Sequence, residues 1–260
     1  MRGRARARVI ALAPALGLAS LGGPLSLAAC SDVVVGQFDG SGTVGTSVGG
    51  SASSSSGLAE GSTATGESGV VPATCFSDDF EDGVLSEALW NAWIEEDAAI
   101  EEVDGTLVFK PPSYGLFDAG VAGHFDYAFP FHDGTVRVRI ADPPAIDRPT
   151  GIFLIVDQDD EALLIDVGLG AVGVRHSVSE VPTFSEELPT DSFPAWLGLR
   201  AQDSMIYFET SSDGETWTAI SSYAQTEPFT AAHALLMSQT FGSYPEQTTV
   251  AVDDFEVCYR

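Results

Sequence analysis

Short β-forming runs, separated by Gly, Asp and Pro, fill the chain from residue 74 to its end. In residues 135–140 (TVRVRI) apolar and charged side chains alternate, which predicts a strand with one face in the core and one in water. Residues 151–156 (GIFLIV) and 161–167 (EALLIDV) are apolar runs on either side of a polar DQDD segment. This pattern is typical of a β-hairpin and sets the expectation for the rest of the domain.

The remaining predicted strands recur at similar spacing, and no helical segments alternate with them. Residues 85–93 have a weak helical pattern, enough for one turn. About a dozen strands without βαβ alternation predict an all-β fold, an antiparallel sandwich of two sheets, within a single domain at 74–260. Nine further segments predict strands, namely 99–103, 106–110, 121–129, 172–178, 196–201, 205–210, 216–221, 234–239 and 249–257.

Residues 1–29 have the features of a signal peptide. Arginines at positions 2, 4, 6 and 8 precede an apolar run of 13 residues at 9–21, whereas a spanning helix needs about 20. The segment LAAC at 27–30 resembles the lipobox of bacterial lipoprotein precursors. The resemblance implies that Cys30 becomes a lipidated N-terminus carrying palmitate-type acyl chains, which anchor stably because each buried CH₂ contributes about 0.8 kcal/mol. Ser31 after it favours the outer membrane of a bacterial cell envelope.

A flexible tether is predicted between the lipidated N-terminus and the domain, within residues 30–73. Of the 38 residues at 36–73, 10 are Gly, 9 are Ser and 4 are Thr, which leaves little to form a core. Such a chain has a root-mean-square reach of about 34 Å. The G-x-S-x-G pattern at 45–49 lies inside this tract, so we interpret it as a product of composition and not as an esterase nucleophile.

The mature chain is strongly acidic. Without the four arginines of the signal peptide, seven basic residues face 38 acidic ones, a net charge of about −31. Nucleic acid is therefore excluded as a partner, since its binding requires cationic contacts to phosphates. The acidity is typical of solubility or a saline environment, and divalent cation binding is the alternative.

Two cysteines bracket the domain, and each lies near a copy of the sequence DDFE. Cys75 precedes the first copy, in ATCFSDDFEDG at 73–83, and Cys258 follows the second, in VAVDDFEVC at 250–258. With Cys30 lipidated, Cys75 and Cys258 are the remaining pair in an exported, oxidising setting, which predicts a disulfide. An antiparallel pairing with the cysteines opposite each other joins the first strand to the last. The same register places Asp79 opposite Asp254, two like charges that should repel.

Several motifs, in order along the domain, resemble those of concanavalin A-like lectin/glucanase domains. The opening segment 80–90 (FEDGVLSEALW) and the hairpin 103–108 (VDGTLV) come first. The segments 196–200 (WLGLR) and 206–217 (IYFETSSDGETW) follow, and 252–255 (VDDF) matches the closing strand. The resemblance implies a jelly roll of two curved antiparallel sheets whose first and last strands are neighbours.

The segment 211–217 also resembles, with shorter spacing, the Asp box of sialidases. In that motif a turn Asp accepts hydrogen bonds from backbone amides and a Trp packs beneath it. A β-propeller needs several copies of this motif, and the sequence has one. We expect Asp213 and Gly214 to form a type I′ hairpin turn, with Trp217 packed on the strand.

Catalytic residues are not evident. Glycosidases of this fold carry E-x-D-x-x-E on one strand, whose alternating carboxylates act as nucleophile, helper and acid. The nearest segment, Glu102-Val103-Asp104, has Leu107 in place of the second Glu, and Asp104 begins a turn. The acidic residues at 95–97 and 101–102 are expected at solvated strand ends. We therefore assign no catalytic residue.

Metal and ligand sites are weakly indicated. The histidines form no HExxH or close pair, which favours structural roles, and their positions are His124, His132, His176 and His233. Ca²⁺ takes 6–8 oxygen ligands, and the candidates are Asp157, Asp159 and Asp160 in the hairpin loop, with Asp79 and Asp254 at the ends. Aromatic side chains that could stack on a sugar are Tyr114, Phe117, Tyr127, Tyr207, Tyr223 and Tyr244.

Three functions are compatible with these features. The first is a non-catalytic, membrane-tethered domain that binds a glycan or another extracellular ligand. The second is a hydrolase of the same fold with a non-standard carboxylate pair, and the third is a structural envelope protein. Two carboxylates about 5–10 Å apart on one sheet face would favour the second.

Overall fold

The computed structural model describes residues 73–260, except 88, 95–97, 113–117, 124–127, 180 and 242–245. The predicted signal peptide, Cys30 and the tether lie outside the described residues, so the predictions made for them stay predictions. Within the described part of the chain, no helix is long and apolar enough to cross a membrane.

Sixteen strands and no α-helix make up the secondary structure of the described residues. Among the described residues at 85–93, the helix-like feature is a turn in which the N–H groups of Leu89 and Trp90 donate to the Ser86 carbonyl. The strands are β1 (Thr74–Asp78), β2 (Trp90–Ile94), β3 (Ala99–Val103), β4 (Thr106–Lys110), β5 (Asp118–Gly123), β6 (Phe129–Phe131), β7 (Gly134–Asp142), β8 (Thr150–Gln158), β9 (Glu161–Gly168), β10 (Ala171–Val178), β11 (Val181–Pro189), β12 (Trp196–Gln202), β13 (Met205–Ser211), β14 (Thr218–Ala224), β15 (Phe229–Thr240) and β16 (Val250–Tyr259).

The strands form two antiparallel sheets, as the sequence predicted. Sheet A has the order β14-β13-β12-β7-β16-β4-β3, with β1 also paired to β16. Sheet B has the order β11-β10-β9-β8-β15-β5-β2, with β6 also paired to β15. The expectation of an antiparallel two-sheet sandwich is therefore confirmed.

One hydrophobic core fills the space between the sheets, because alternate residues of each strand point inward. In β7, Val136, Val138 and Ile140 are buried while the arginines between them face outward, as expected. The strands β8 and β9 are almost continuously apolar, and both of their faces are buried. One face belongs to this core, and the other belongs to a second apolar cluster on the outward side of sheet B. The second buried face of sheet B is the basis of the candidate site.

Several strands differ from the prediction, including β14, which is shifted from 216–221 to 218–224, and β15, which begins at 229 and not at 234. The segment expected as one strand at 121–129 is split into β5 and β6, with residues between them outside the described set. The strands β2 and β11 were not predicted. The first residues of β2 fall in the segment 85–93, whose pattern was interpreted as a helical turn. The strand β11 is an exposed edge strand rich in Pro and Glu, so its sequence lacks an apolar pattern. Charge and proline suit an edge strand because they discourage pairing with another chain.

The predicted pairing of the first and last strands is confirmed. In the antiparallel pair of β1 with β16, Cys75 lies opposite Cys258, Phe76 opposite Val257 and Ser77 opposite Glu256. The cysteines form a disulfide with their Cα atoms 4.1 Å apart, and they are 183 positions apart in sequence. We call this pair of strands and its disulfide the clasp.

The strand pairing does not extend to Asp79 and Asp254, whereas the predicted register required them to lie opposite each other. Pairing ends at Asp78 opposite Phe255, and β16 has a bulge between Asp253 and Glu256 in which Asp254 adopts a φ of 45°. The bulge turns the side chains of Asp253 and Asp254 toward Arg139 of β7. The Arg139 Nε donates to Asp254 at 2.7 Å, and its second nitrogen pairs with Asp253. The positive charge at this end of the clasp is therefore supplied by an arginine.

Candidate functional site

The outward surface of sheet B, which we call face B, has an apolar floor. Its side chains come from three adjacent strands, β15, β8 and β9, and each is at most 7% exposed. Trp93 of β2 and Phe241 pack against this cluster while remaining partly exposed. The floor consists of Phe153, Ile155, Ala162, Leu164, Leu235 and Met237.

A polar row continues from this floor toward the β11 edge. In the register of the sheet, Phe153 lies opposite Asp166, Asp166 opposite Gly173, and Gly173 opposite Glu187. A Cβ built on Gly173 would lie 3.0 Å from the Asp166 Cγ, so the carboxyl of Asp166 leans across the glycine. The missing side chain at Gly173 therefore leaves the space in which Asp166 approaches Glu187.

The environment of Asp166 favours its protonated form. Burial of the carboxyl raises the pKa of Asp166 from 3.8 to about 7, the positive charge of Arg175 opposes the shift, and the negative charge of Glu187 adds to it. The Nε and Nη1 atoms of Arg175 are buried and have no hydrogen-bond partner. Face B thus carries a carboxylic acid that can donate a proton, beside a guanidinium group with buried, unpartnered nitrogens.

A second carboxyl with a raised pKa lies on the same face, in β8. Burial raises the pKa of Asp157 from 3.8 to about 7, a hydrogen bond from its own backbone N–H opposes this, and the charge of Asp159 adds to it. Asp157 lies opposite His233, and its Oδ1 atom is buried without a hydrogen-bond partner. It is four residues along the strand from the position opposite Asp166, a distance of about 13 Å.

The carboxylate arrangement differs from the glycosidase pattern discussed above. The outward positions of β9 hold Ala162, Leu164, Asp166 and Gly168, so this strand contributes a single carboxylate to face B. Asp166 and Glu187 lie two strands apart, about 10 Å between Cα atoms, and the lean of Asp166 shortens the distance between the carboxyls. In inverting glycosidases the two carboxyl groups are roughly 6.5–9.5 Å apart, a distance that is defined between carboxyls and not between Cα atoms.

The candidate calcium ligands do not form one cluster, although Asp79 and Asp254 line the same depression on sheet A. Asp157 points onto face B, whereas Asp159 and Asp160 lie in the exposed hairpin turn that follows it. Asp79 lies just beyond the clasp, and Asp254 pairs with Arg139. The described residues contain no group of three or more His, Cys, Asp or Glu side chains that could hold a metal ion. Calcium binding by this domain stays a prediction.

Of the four histidines, His176 has a well-defined role inside the sandwich. Its Nε2 lies 2.7 Å from Glu161, its Nδ1 pairs with Thr183, and its ring stacks on Tyr223 with centroids 4.2 Å apart. Because it is 1% exposed, it joins the strands β9, β10 and β11 from within. His132 follows β6, and His124 lies outside the described residues.

The aromatic residues proposed as sugar platforms are not gathered on face B. Tyr207 lies under the guanidinium of Arg200 at 4.0 Å on sheet A, and Tyr223 packs against the core. The others, Tyr114, Phe117, Tyr127 and Tyr244, are outside the described residues. Among the described residues, the aromatic side chains that flank the face B floor are Trp93 and Phe241, which sequence analysis did not select.

The hairpin turn at 211–217 does not have the expected type I′ geometry. Only Gly214 has a positive φ, 76°, whereas a type I′ turn needs two such residues. Asp213 instead accepts hydrogen bonds from the backbone N–H groups of Thr216 and Glu215, and these with the Ser211 hydroxyl lower the pKa of Asp213 to about 2. The local geometry is that of a single Asp-box-like turn, and Trp217 packs on the sheet as expected.

The two antiparallel sheets form a jelly-roll sandwich, and similar solved structures share this fold. A β-glucanase from Bacillus licheniformis superposes with a TM-score of 0.52 at 11% identity, over 71% of this chain and 97% of that one. A laminarinase from Flavobacterium sp. UMI-01 gives 0.56 at 9% identity, over 71% and 99%. A lichenase from a mouse hindgut metagenome gives 0.52 at 12% identity, over 72% and 98%.

These similarities show the fold. No protein-family profile and no curated protein sequence matches the chain. The sequence resemblance to concanavalin A-like domains is therefore confirmed at the level of architecture, including the adjacency of the first and last strands.

Proposed function

We propose that this chain is a lipid-anchored protein of a bacterial cell envelope whose jelly-roll domain binds a glycan on face B. The observation that carries the proposal is the row in which Trp93, the apolar floor, Asp166 and Glu187 follow one another across the sheet. A sugar has apolar ring faces and many hydroxyls, so an aromatic ring beside fixed donors and acceptors is the chemistry that binds it.

Catalysis is not required by this arrangement. The strand β9 contributes one carboxylate to face B, so the alternating carboxylates of the glycosidases are missing from it. Asp166, which is mostly protonated below pH 7, and the unpartnered nitrogens of Arg175 are donors, whereas Glu187 is an acceptor. This set can hold sugar hydroxyls without cleaving a bond. The glycan-degrading enzymes among the similar structures make β-linked glucans the first ligands to test.

Binding is tested with the purified full-length chain in detergent, on a glycan array and by calorimetry with laminarin and lichenan oligosaccharides. Trp93→Ala should weaken binding roughly tenfold through loss of ring stacking, and Asp166→Asn should change it less. Ile94→Ala is the matched control, because Ile94 is the next residue of β2 and is 51% exposed. Absence of binding to every glycan, or an equal loss in both alanine variants, would contradict the proposal. Repeating the array with EDTA tests whether glycan binding requires calcium.

The lipid anchor is supported by the order of features at the N-terminus, namely arginines, an apolar run, LAAC and a Gly/Ser tract. Intact-mass analysis of the mature protein should show cleavage before Cys30 and the added mass of a diacylglyceryl group and an acyl chain. A Cys30→Ser variant should leave the membrane fraction. An unmodified cysteine in the wild-type chain would overturn this part of the proposal, and separation of inner from outer membranes would decide the location.

The second candidate function is hydrolysis of a glycosidic bond, and one observation favours it. Asp166 and Glu187 face each other across Gly173, with the pKa of Asp166 raised to about 7, the pattern of a general acid near a general base. Incubation of the full chain with laminarin and lichenan should then release reducing ends, and Asp166→Asn and Glu187→Gln should each abolish the release. Binding of the glycan without release of reducing ends would support the binding function and contradict hydrolysis.

A further inference from the structure

The outward surface of sheet A carries a second cluster of exposed aromatic and polar side chains, away from face B. A depression of about 480 Å³ lies there, between the 211–217 turn and the bulge end of the clasp. This volume falls in the range of roughly 300–1,000 Å³ typical of small-molecule sites. Its main lining residues are Trp196, Trp217, Arg137, Glu256 and Asp79. We call it the sheet A depression.

The two tryptophans in this depression pack closely against glycines. A Cβ built on Gly198 would lie 2.6 Å from the indole ring of Trp217, and one on Gly214 would lie 2.8 Å from that of Trp196. The Trp217 Nε1 donates to the Gly214 carbonyl at 2.9 Å, and the two rings meet edge to face with centroids 6.2 Å apart. Neither ring belongs to the hydrophobic core, and both are partly exposed. The rings are therefore a rigid aromatic surface in contact with solvent.

Arg137 provides donors beside this aromatic surface. Its guanidinium carbon lies 4.4 Å from the centre of the Trp217 ring, and its Nε is buried without a hydrogen-bond partner. The arginines on the same sheet face are used differently, since Arg139 pairs with two aspartates and Arg200 pairs with Glu209 at 2.7 Å. Arg137 forms no ion pair among the contacts of the described residues. Its planar group is oriented by stacking and retains donors for a ligand.

Acceptors line the other side of the depression. Glu256 lies opposite Arg137 in the pairing of β16 with β7, and Asp79 follows the end of β1. The lining carries more carboxylates than cations, which disfavours an anionic ligand such as a uronate or a sulfated sugar. A stacking surface flanked by donors and acceptors fits an uncharged, polyhydroxylated ring.

We propose that the sheet A depression binds a neutral glycan, stacked on Trp217 and hydrogen-bonded by Arg137 and Glu256. This site is independent of face B, because the two surfaces point away from each other on opposite sides of the sandwich. One sugar ring cannot contact both. The domain is then bivalent for glycan, and two weak sites on one rigid body increase the avidity for a polysaccharide that can reach both.

Oxidation of tryptophan by N-bromosuccinimide distinguishes the two sites in one experiment. The full-length chain in detergent is oxidised with and without saturating laminarihexaose or cellohexaose, and peptides are quantified by mass spectrometry. The proposal expects Trp196 and Trp217 to be protected at least about threefold, whereas Trp93 reports on face B. Protection confined to Trp93, or absent from all three, overturns the proposal. Protection confined to Trp196 and Trp217 supports it and contradicts the function proposed for face B.

Variants of Arg137 separate recognition from packing. Arg137→Gln should reduce the protection of Trp217 and weaken the binding of the same sugars roughly tenfold, because a charge-assisted hydrogen bond is lost. Arg137→Lys keeps the charge without the planar group and should recover only part of the affinity. Arg200→Gln is the matched control, since Arg200 also stacks on an aromatic ring but lies outside the depression. Unchanged protection in a folded Arg137→Gln variant, checked by circular dichroism, would overturn the proposal, as would an equal loss in the control.

Discussion

The two buried aspartates of face B should make the domain less stable as the pH rises. The pKa values of Asp157 and Asp166 are both raised from 3.8 to about 7, with burial as the largest cause. Between these values the unfolded chain has released both protons, whereas the folded domain still holds them. The free energy of unfolding therefore falls as the pH rises from about 4 to about 7, and it changes little beyond that range.

The size of this effect follows from the shifts. About three pKa units at 1.36 kcal/mol each would give about 4 kcal/mol for each fully desolvated group. Both residues keep some exposed surface, and solvent screening reduces the contribution to about 1–2 kcal/mol per group. Between pH 5 and pH 8 the pair should cost the folded state about 1–3 kcal/mol.

Urea unfolding at pH 5 and pH 8, with the disulfide intact, measures this loss. The double variant Asp157→Asn/Asp166→Asn should be nearly neutral at pH 5, where the wild-type groups are protonated, and more stable than wild type at pH 8. Asp160→Asn controls for the removal of one negative charge, because Asp160 is exposed in the turn beside β8. The reasoning is refuted if the double variant retains the wild-type pH dependence, or if wild type is more stable at pH 8.

Three further substitutions test the fold by thermal or urea unfolding. Gly198→Ala should destabilise by about 1–3 kcal/mol, because the new methyl group displaces the Trp217 ring, and a wild-type midpoint would contradict the close contact. Replacing Cys75 and Cys258 by Ser removes a 183-residue cross-link and should cost up to about 5 kcal/mol; a loss below 1 kcal/mol would show that pairing alone holds β1. Arg139→Met removes the partner of the buried Asp253 and should cost about 1–3 kcal/mol, because Arg139 itself is partly exposed, and a wild-type midpoint would contradict the pairing.

The sheet architecture was predictable because it depends on local patterns. The alternation in β7 indicates that one of its faces is buried, and the apolar runs of β8 and β9 indicate that both of theirs are. Asp159, in the turn between β8 and β9, indicates the hairpin. The clasp was predictable for a different reason. Two cysteines fix one pair of residues, and antiparallel geometry then fixes the others.

The details at the two candidate sites required long-range information. The approach of Asp166 to Glu187 depends on the register of three strands and on a glycine in the middle one, which no local pattern states. The signal available was the position of Asp166, which shares its face of β9 with Ala162 and Leu164 and so interrupts an apolar row. The bulge at Asp254 depends on Arg139, which lies 115 residues away in sequence. The sequence shows both residues but not their pairing.

The position of the clasp decides how the domain would respond to a pulling force. A pull on the chain before Thr74 enters β1 and, one residue later, passes through the disulfide into Cys258. The hydrogen bonds between the rest of β1 and β16 carry none of that load. The strand that receives it, β16, lies inside sheet A with β7 along one side and β1 and β4 along the other. Unfolding by traction from the N-terminal side would therefore have to shear an interior strand out of its sheet, where an edge strand without a disulfide would peel away.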